Sequence, residues 1–151
     1  MADQFDAAIS TNEEPLLLKY RAVIQEIGPM VHEFLPHGIL IFFGGAAPAE
    51  LREVALVHDG NSLADRLAMG DILQFIPPAT EQITEPQPIQ FRLTAIGEVA
   101  SENLAQLGHV VVHFDAASTA NLPGAISVEP SLEYIPTVGT TIEIIRVEKM
   151  Q

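Results

Sequence analysis

Histidine is the residue type through which this chain is equipped to do chemistry. Its 151 residues include no cysteine and five histidines: His32, His37, His58, His109 and His113. Without cysteine there is no thiolate nucleophile, no disulfide scaffold and no Cys-ligated metal or iron–sulfur site. A histidine ring, with an ordinary pKa of about 6.5, keeps a neutral, nucleophilic nitrogen at pH 7. His58 is the most suggestive of the five. It follows the apolar run Val54-Ala55-Leu56-Val57 and precedes the turn residues Asp59-Gly60-Asn61. A strand would deliver it to an exposed rim, where a reactive group is fixed by the scaffold yet open to a partner. The backbone N–H groups of Gly60 and Asn61 would there offer donors to an anion. The same pattern also describes an ordinary surface histidine at a strand end.

His109 opens a second apolar run and reads either as a half-buried strand residue or as a member of the site. His113 stands four residues further on. On a strand that spacing covers roughly 13 Å, too far for both to ligate one metal. His32 and His37 flank turn residues and read as solvent-facing. Glu129 and Glu133 read as solvated surface. Motifs of the G-x-S-x-G, P-loop, H-E-x-x-H and G-x-G-x-x-G types are absent.

The elements that must position these residues are mostly strands. Short apolar runs bounded by turn residues occur at Leu16–Ile27, Ile39–Phe43, Val54–Val57, Asp71–Ile76, Ile89–Ile96, Val110–Phe114, Ala125–Val128 and Thr140–Val147. Such spacing predicts an all-β domain, either a sandwich or a small closed barrel. One or two short helices interrupt it. Pro48 opens a single turn to Glu53. Ser101–Leu107 has Ser101 as its cap candidate and Gly108 as its stop. Pro29–Leu35 is ambiguous. Residues 1–15 read as a flexible tail and residues 16–151 as one domain. Glu81–Pro88, with Pro86 and Pro88, reads as a surface excursion.

Composition narrows the function classes. Seven Lys and Arg against 20 Asp and Glu give a net charge of −13. That balance argues against nucleic acid and against an anionic membrane surface, and it favours a partner with a basic face. Apolar residues make up 48% of the chain, enough for a packed core. The acidic N-terminus and the short apolar runs predict neither a signal peptide nor a spanning segment, which makes the cytoplasm the expected location.

Three strings carry the reading further. The first is Leu40-Ile41-Phe42-Phe43-Gly44-Gly45-Ala46-Ala47-Pro48-Ala49-Glu50-Leu51, running on to Val57-His58. The second is Thr94-Ala95-Ile96-Gly97-Glu98-Val99-Ala100, then Asn103-Leu104 and Leu107-Gly108-His109-Val110. The third is Phe114-Asp115, then Pro123-Gly124 and Val128. In this order, from about Tyr20 to Val147, they resemble the glucitol/sorbitol-specific enzyme IIA component of the bacterial phosphotransferase system. Residues 1–19 have no counterpart, Ala46 stands where the family's motif has glycine, and residues 81–88 do not align.

The resemblance implies a small closed β-barrel, mainly β, and a phosphocarrier that takes its phosphoryl group from phospho-HPr. That group then passes to the IIB component of a IIB/IIC sugar permease. It also implies that His58 is the phosphoryl acceptor, with His109 a neighbour that orients or stabilises, and that no cofactor or metal is required. Gly60 and Asn61 would bind the phosphoryl oxygens. The oligomeric state, monomer or homodimer, stays open. Two other readings stand beside it: a metal-dependent enzyme built on His58, His109 and a carboxylate, and a regulatory protein-binding module of the same fold without catalysis.

Overall fold

The protein is described by a computed structural model over residues 17–147, so the expected tail at 1–15 lies outside the described residues. The strands are β1 (Leu17–Ile27), β2 (Ile39–Gly44), β3 (Leu56–His58), β4 (Ile72–Ile76), β5 (Ile89–Ile96), β6 (Val110–His113), β7 (Ala125–Glu129) and β8 (Thr141–Arg146). They close into one barrel in the order β1-β3-β2-β6-β7-β5-β4-β8, with β8 pairing back onto β1. Of the two all-β architectures open to the strand pattern, the molecule therefore adopts the closed barrel. Closure removes the unpaired sheet edges that an open sandwich would leave.

Period-two alternation sets the core. Phe91, Leu93 and Ala95 of β5 are buried while Arg92 between them is exposed. Leu73 and Phe75 of β4 and Ile142 and Ile144 of β8 join Phe91 and Leu93 in the main core cluster. Aromatic edges hold its centre: Phe75 meets Phe42 and Phe91, and Phe91 meets Phe114.

Two strand pairs are parallel, β2 with β3 and β6 with β7. A parallel pair cannot be joined by a tight hairpin. The chain crosses between β2 and β3 through α2 (Ala49–Arg52), with Pro48 as its N-cap. That crossover inserts β3 between β1 and β2, so the three-residue strand ending at His58 is held on both sides.

The helices are more numerous than the one or two expected. The ambiguous stretch 29–35 contains α1 (Val31–Phe34), followed by a 3-10 turn at Leu35–His37. The third helix, α3 (Ala100–Leu107), begins one residue before the expected cap. Ser101 does not cap it. Its side chain turns inward and accepts the backbone N–H of Leu67 at 3.0 Å, which accounts for a buried serine inside the first turn. Gly108 does end the helix, at φ 66°, with its N–H donating to the Leu104 carbonyl at 3.0 Å. Residues 81–88 carry no strand or helix, and most are exposed, as expected. Among the described residues, no helix is long and apolar enough to cross a membrane.

Candidate functional site

His58 ends β3 in register with Ile24 of β1 and Gly44 of β2. Strand alternation puts its ring on the core side with Leu56. Edge-on contacts with the rings of Tyr20, at 5.8 Å between centroids, and Phe42, at 6.4 Å, fix its plane. The expectation of an exposed rim histidine is overturned: His58 is 1% exposed. The strand end does reach the barrel rim, but Gly60 and Gly108 close over the ring.

Both ring nitrogens are engaged. Nε2 lies 2.8 Å from the carbonyl oxygen of Gly108. A carbonyl only accepts, so Nε2 carries the proton and donates. Nδ1 accepts the backbone N–H of Gly60 at 3.0 Å. The ring is thereby set in one neutral tautomer, N–H at Nε2 and lone pair at Nδ1. Burial lowers the His58 pKa from its ordinary value, against the opposing influence of the Gly108 carbonyl and the Asp59 carboxylate. Neutral imidazole is therefore the form present at pH 7.

The two closing residues must be glycine for steric reasons. A Cβ on Gly108 would lie 2.7 Å from His58 Cε1 and 2.8 Å from the backbone nitrogen of Gly44, and the residue's φ is left-handed besides. A Cβ on Gly60 would lie 2.7 Å from the Tyr20 hydroxyl and 2.9 Å from the Ala22 side chain. Atoms packed this closely leave no room for a side chain. Asp59 anchors the turn, accepting the Val23 N–H at 2.7 Å through Oδ1.

Beyond the two glycines lies a cleft of about 420 Å³, lined among others by Gly44, Gly45, Asn61, Leu107, Gly60 and Gly108. His58 sits directly behind Gly60 and Gly108. The lining also includes Leu51, 39% exposed, and Leu107, 49% exposed. Asn61 is exposed, so both residues expected to bind an anion, Gly60 and Asn61, border this cleft.

His109 follows Gly108 directly, and β6 begins one residue after it. Its Nδ1–H donates to the Phe42 carbonyl at 3.2 Å, and its ring stacks on Phe43 at 4.6 Å between centroids. Phe43 lines the cleft. His58 and His109 are thus connected through the Gly108 backbone on one side and through the Phe42–Gly44 segment on the other. His32 and His37 are exposed. Among the described residues, no three His, Asp or Glu side chains gather as a metal-ligand set, so His58 and His109 do not share one with a carboxylate there.

Two residues contribute to the site in ways that had no signal in the sequence. Tyr20 reads as one more apolar position of β1, yet its hydroxyl reaches Gly60. It is 2% exposed, and its oxygen has no hydrogen-bond partner among the described residues. Burial, with the charge of Asp59, raises its pKa above the ordinary phenol value. Gly108 was legible as a helix stop but not as the residue that orients His58.

Comparison with known proteins bears on the same segment. The family model for the phosphotransferase system glucitol/sorbitol-specific IIA component matches residues 19–143, which include His58, Gly60, Asn61 and His109. Two relatives, from Shigella flexneri and Escherichia coli strain K12, are both described as the glucitol/sorbitol-specific EIIA component of that system. Each is 36% identical over 109 residues, covering 72% of this chain and 80% of the relative. A crystal structure of a phosphotransferase system IIA component from Enterococcus faecalis V583 superposes with a TM-score of 0.63 at 23% identity. It covers 81% of this chain and 96% of that one, a likeness of fold.

Proposed function

The chain belongs to the glucitol/sorbitol-specific IIA component family of the phosphotransferase system, and from that membership we propose that it is a cytoplasmic phosphocarrier with His58 as its acceptor. It takes a phosphoryl group from phospho-HPr and hands it to the IIB component of a glucitol/sorbitol-type permease, supporting sugar import coupled to phosphorylation. The observation that carries this reading is the state of His58. The ring is neutral, held in a single tautomer by two backbone groups, and placed immediately behind a cleft. A neutral imidazole keeps the lone pair that attack on phosphorus requires.

The surroundings suit a carrier rather than a trap. A phosphohistidine that must be passed on should be stabilised only moderately. Backbone N–H groups at the Gly60–Asn61 turn offer donors to phosphoryl oxygens without a cationic cage. The exposed Leu51 and Leu107 give the cleft an apolar margin of the kind a brief protein contact uses. The net charge of −13 steers the chain toward a positively charged carrier face. His109, stacked on Phe43, supports the cleft wall from behind.

Reconstitution tests the relay. Wild-type protein and His58→Gln are each incubated with phosphoenolpyruvate, enzyme I, HPr and the cognate IIB domain. Phosphate on every protein is then followed by intact mass. Phosphate reaching IIB only when wild-type protein is present supports the reading. Phosphate reaching IIB equally without the chain, or through His58→Gln, contradicts it.

A further inference from the structure

We infer that the phosphoryl group bonds to His58 at Nδ1, and that the buried Tyr20 hydroxyl and the Gly60 N–H become its hydrogen-bond donors. The inference rests on the carrier reading above and names the atom and the surrounding groups that it leaves open.

The two nitrogens differ in both protonation and room. Nε2 holds the proton, and the Gly108 oxygen occupies the line of approach at 2.8 Å. Gly108 cannot step aside easily. Its N–H is tied to Leu104, the next residue's N–H is tied to Asn103, and its Cα lies against Gly44. Nδ1 holds the lone pair, and the group across from it is only the Gly60 amide at 3.0 Å. Gly60 lies in the irregular segment between β3 and β4, followed by exposed Asn61 and Ser62. The Asp59–Gly60 peptide is tied to β1 through Asp59 alone, whereas Gly108 is held by its own N–H, by the next N–H and by Gly44, and fewer ties lower the cost of a pivot.

The transfer balances without moving a proton. The Nδ1 lone pair forms the new N–P bond as the P–N bond of the donor phosphohistidine breaks. That bonding pair returns to the donor's ring nitrogen as a lone pair. The Nε2 proton stays in place, hydrogen-bonded to Gly108, and the His58 ring becomes a phosphorylated imidazolium. The Gly108 carbonyl lies just past the C-terminal end of α3, where positive charge is favoured. The Gly60 N–H, freed from the ring lone pair, turns to a phosphoryl oxygen.

Tyr20 supplies the independent observation. A buried hydroxyl without a partner costs stability, and this one borders the residue that covers Nδ1. A phosphoryl oxygen at Nδ1 gives it the acceptor it lacks.

The test is nitrogen NMR on the uniformly 15N-labelled full chain, before and after phosphorylation by phosphoenolpyruvate, enzyme I and HPr. The inference expects the N–H of free His58 at Nε2 and the phosphorus of the product at Nδ1. Tyr20→Phe should melt no lower than wild type, since it removes an unpartnered group. It should still be phosphorylated at Nδ1, with the ratio of phosphorylated to free protein at equilibrium with the donor lowered by about tenfold or more. Phosphorus at Nε2, or a free ring protonated at Nδ1, overturns the assignment while leaving the carrier intact. An unchanged ratio in Tyr20→Phe overturns the role of that hydroxyl. No phosphate on wild-type protein takes down the carrier reading, and this inference with it.

Discussion

Two buried polar regions of the barrel invite comparison. One joins Lys19 to Asp71, with side chains 1% and 2% exposed and a 2.8 Å contact between Nζ and Oδ2. Lys19 also donates to the Arg66 carbonyl, and Asp71 accepts the Ala68 N–H, each at 2.8 Å. Charge meets charge, and the extra partners fasten the segment around residues 66–71 to β1. The other region is His58 with Gly60, Gly108 and Tyr20. It is neutral, its ring is hydrogen-bonded to backbone groups alone, and it includes an unpartnered hydroxyl. It also borders a cleft. Polarity that is fully paired serves structure, since breaking it strands a charge in the core. Polarity that is neutral, incompletely paired and next to a cleft has bonds it can exchange for others.

Asp71→Ala leaves Lys19 buried without its carboxylate and should cost about 3–5 kcal/mol in chemical denaturation. The fraction that remains folded should still accept phosphate, so loss of acceptance in folded Asp71→Ala would erase the distinction between the regions. Gly108→Ala imposes a left-handed alanine and a clash with the His58 ring. We expect about 1–3 kcal/mol of destabilisation, together with loss of phosphate acceptance, read by melting and intact mass on the same sample. His109→Ala removes the stack on Phe43 and the bond to Phe42. The initial rate of phosphorylation should fall by about tenfold, or about 1.4 kcal/mol of barrier, in a protein that still melts cooperatively near the wild-type temperature. A large drop in melting temperature with an unchanged rate would make His109 purely a packing residue.

The smallest effect is on pH dependence. The folded His58 pKa lies below the unfolded value of about 6.5. The unfolded chain therefore binds the proton first as pH falls. The stability associated with a neutral His58 is complete above pH 6.5 and is lost progressively below it, down to the folded pKa. The slope from this group is at most about 1.4 kcal/mol per pH unit. Urea denaturation between pH 7 and pH 5 should show a shallower pH dependence for His58→Gln than for wild type. Identical slopes would mean that His58 titrates alike in the folded and unfolded chains.

Local physics made much of this legible in the sequence, and distance hid the rest. The strand runs, the Gly108 stop and the placement of His58 at a strand end all follow from neighbouring residues. The burial of His58 does not. The groups that enclose it come from Gly108, 50 residues away, and from Tyr20 on another strand. Lys19 and Asp71 lie 52 residues apart, in two separate apolar runs, so nothing in either neighbourhood announces their pairing. Ser101 looked like a helix cap because its partner, the Leu67 backbone, is a tertiary contact. Closure into a barrel, through β1 pairing with β8, is a long-range fact of the same kind. The family resemblance anticipated it where the strand pattern alone left a sandwich open.

The central claim is that His58 accepts the phosphoryl group, and intact mass reads it most directly. Wild type and His58→Gln are incubated side by side with phosphoenolpyruvate, enzyme I and HPr, after circular dichroism has confirmed that both are folded. The account predicts one acid-labile phosphate on wild type and none on His58→Gln. A phosphate of equal yield on folded His58→Gln would contradict it and move the acceptor to another residue.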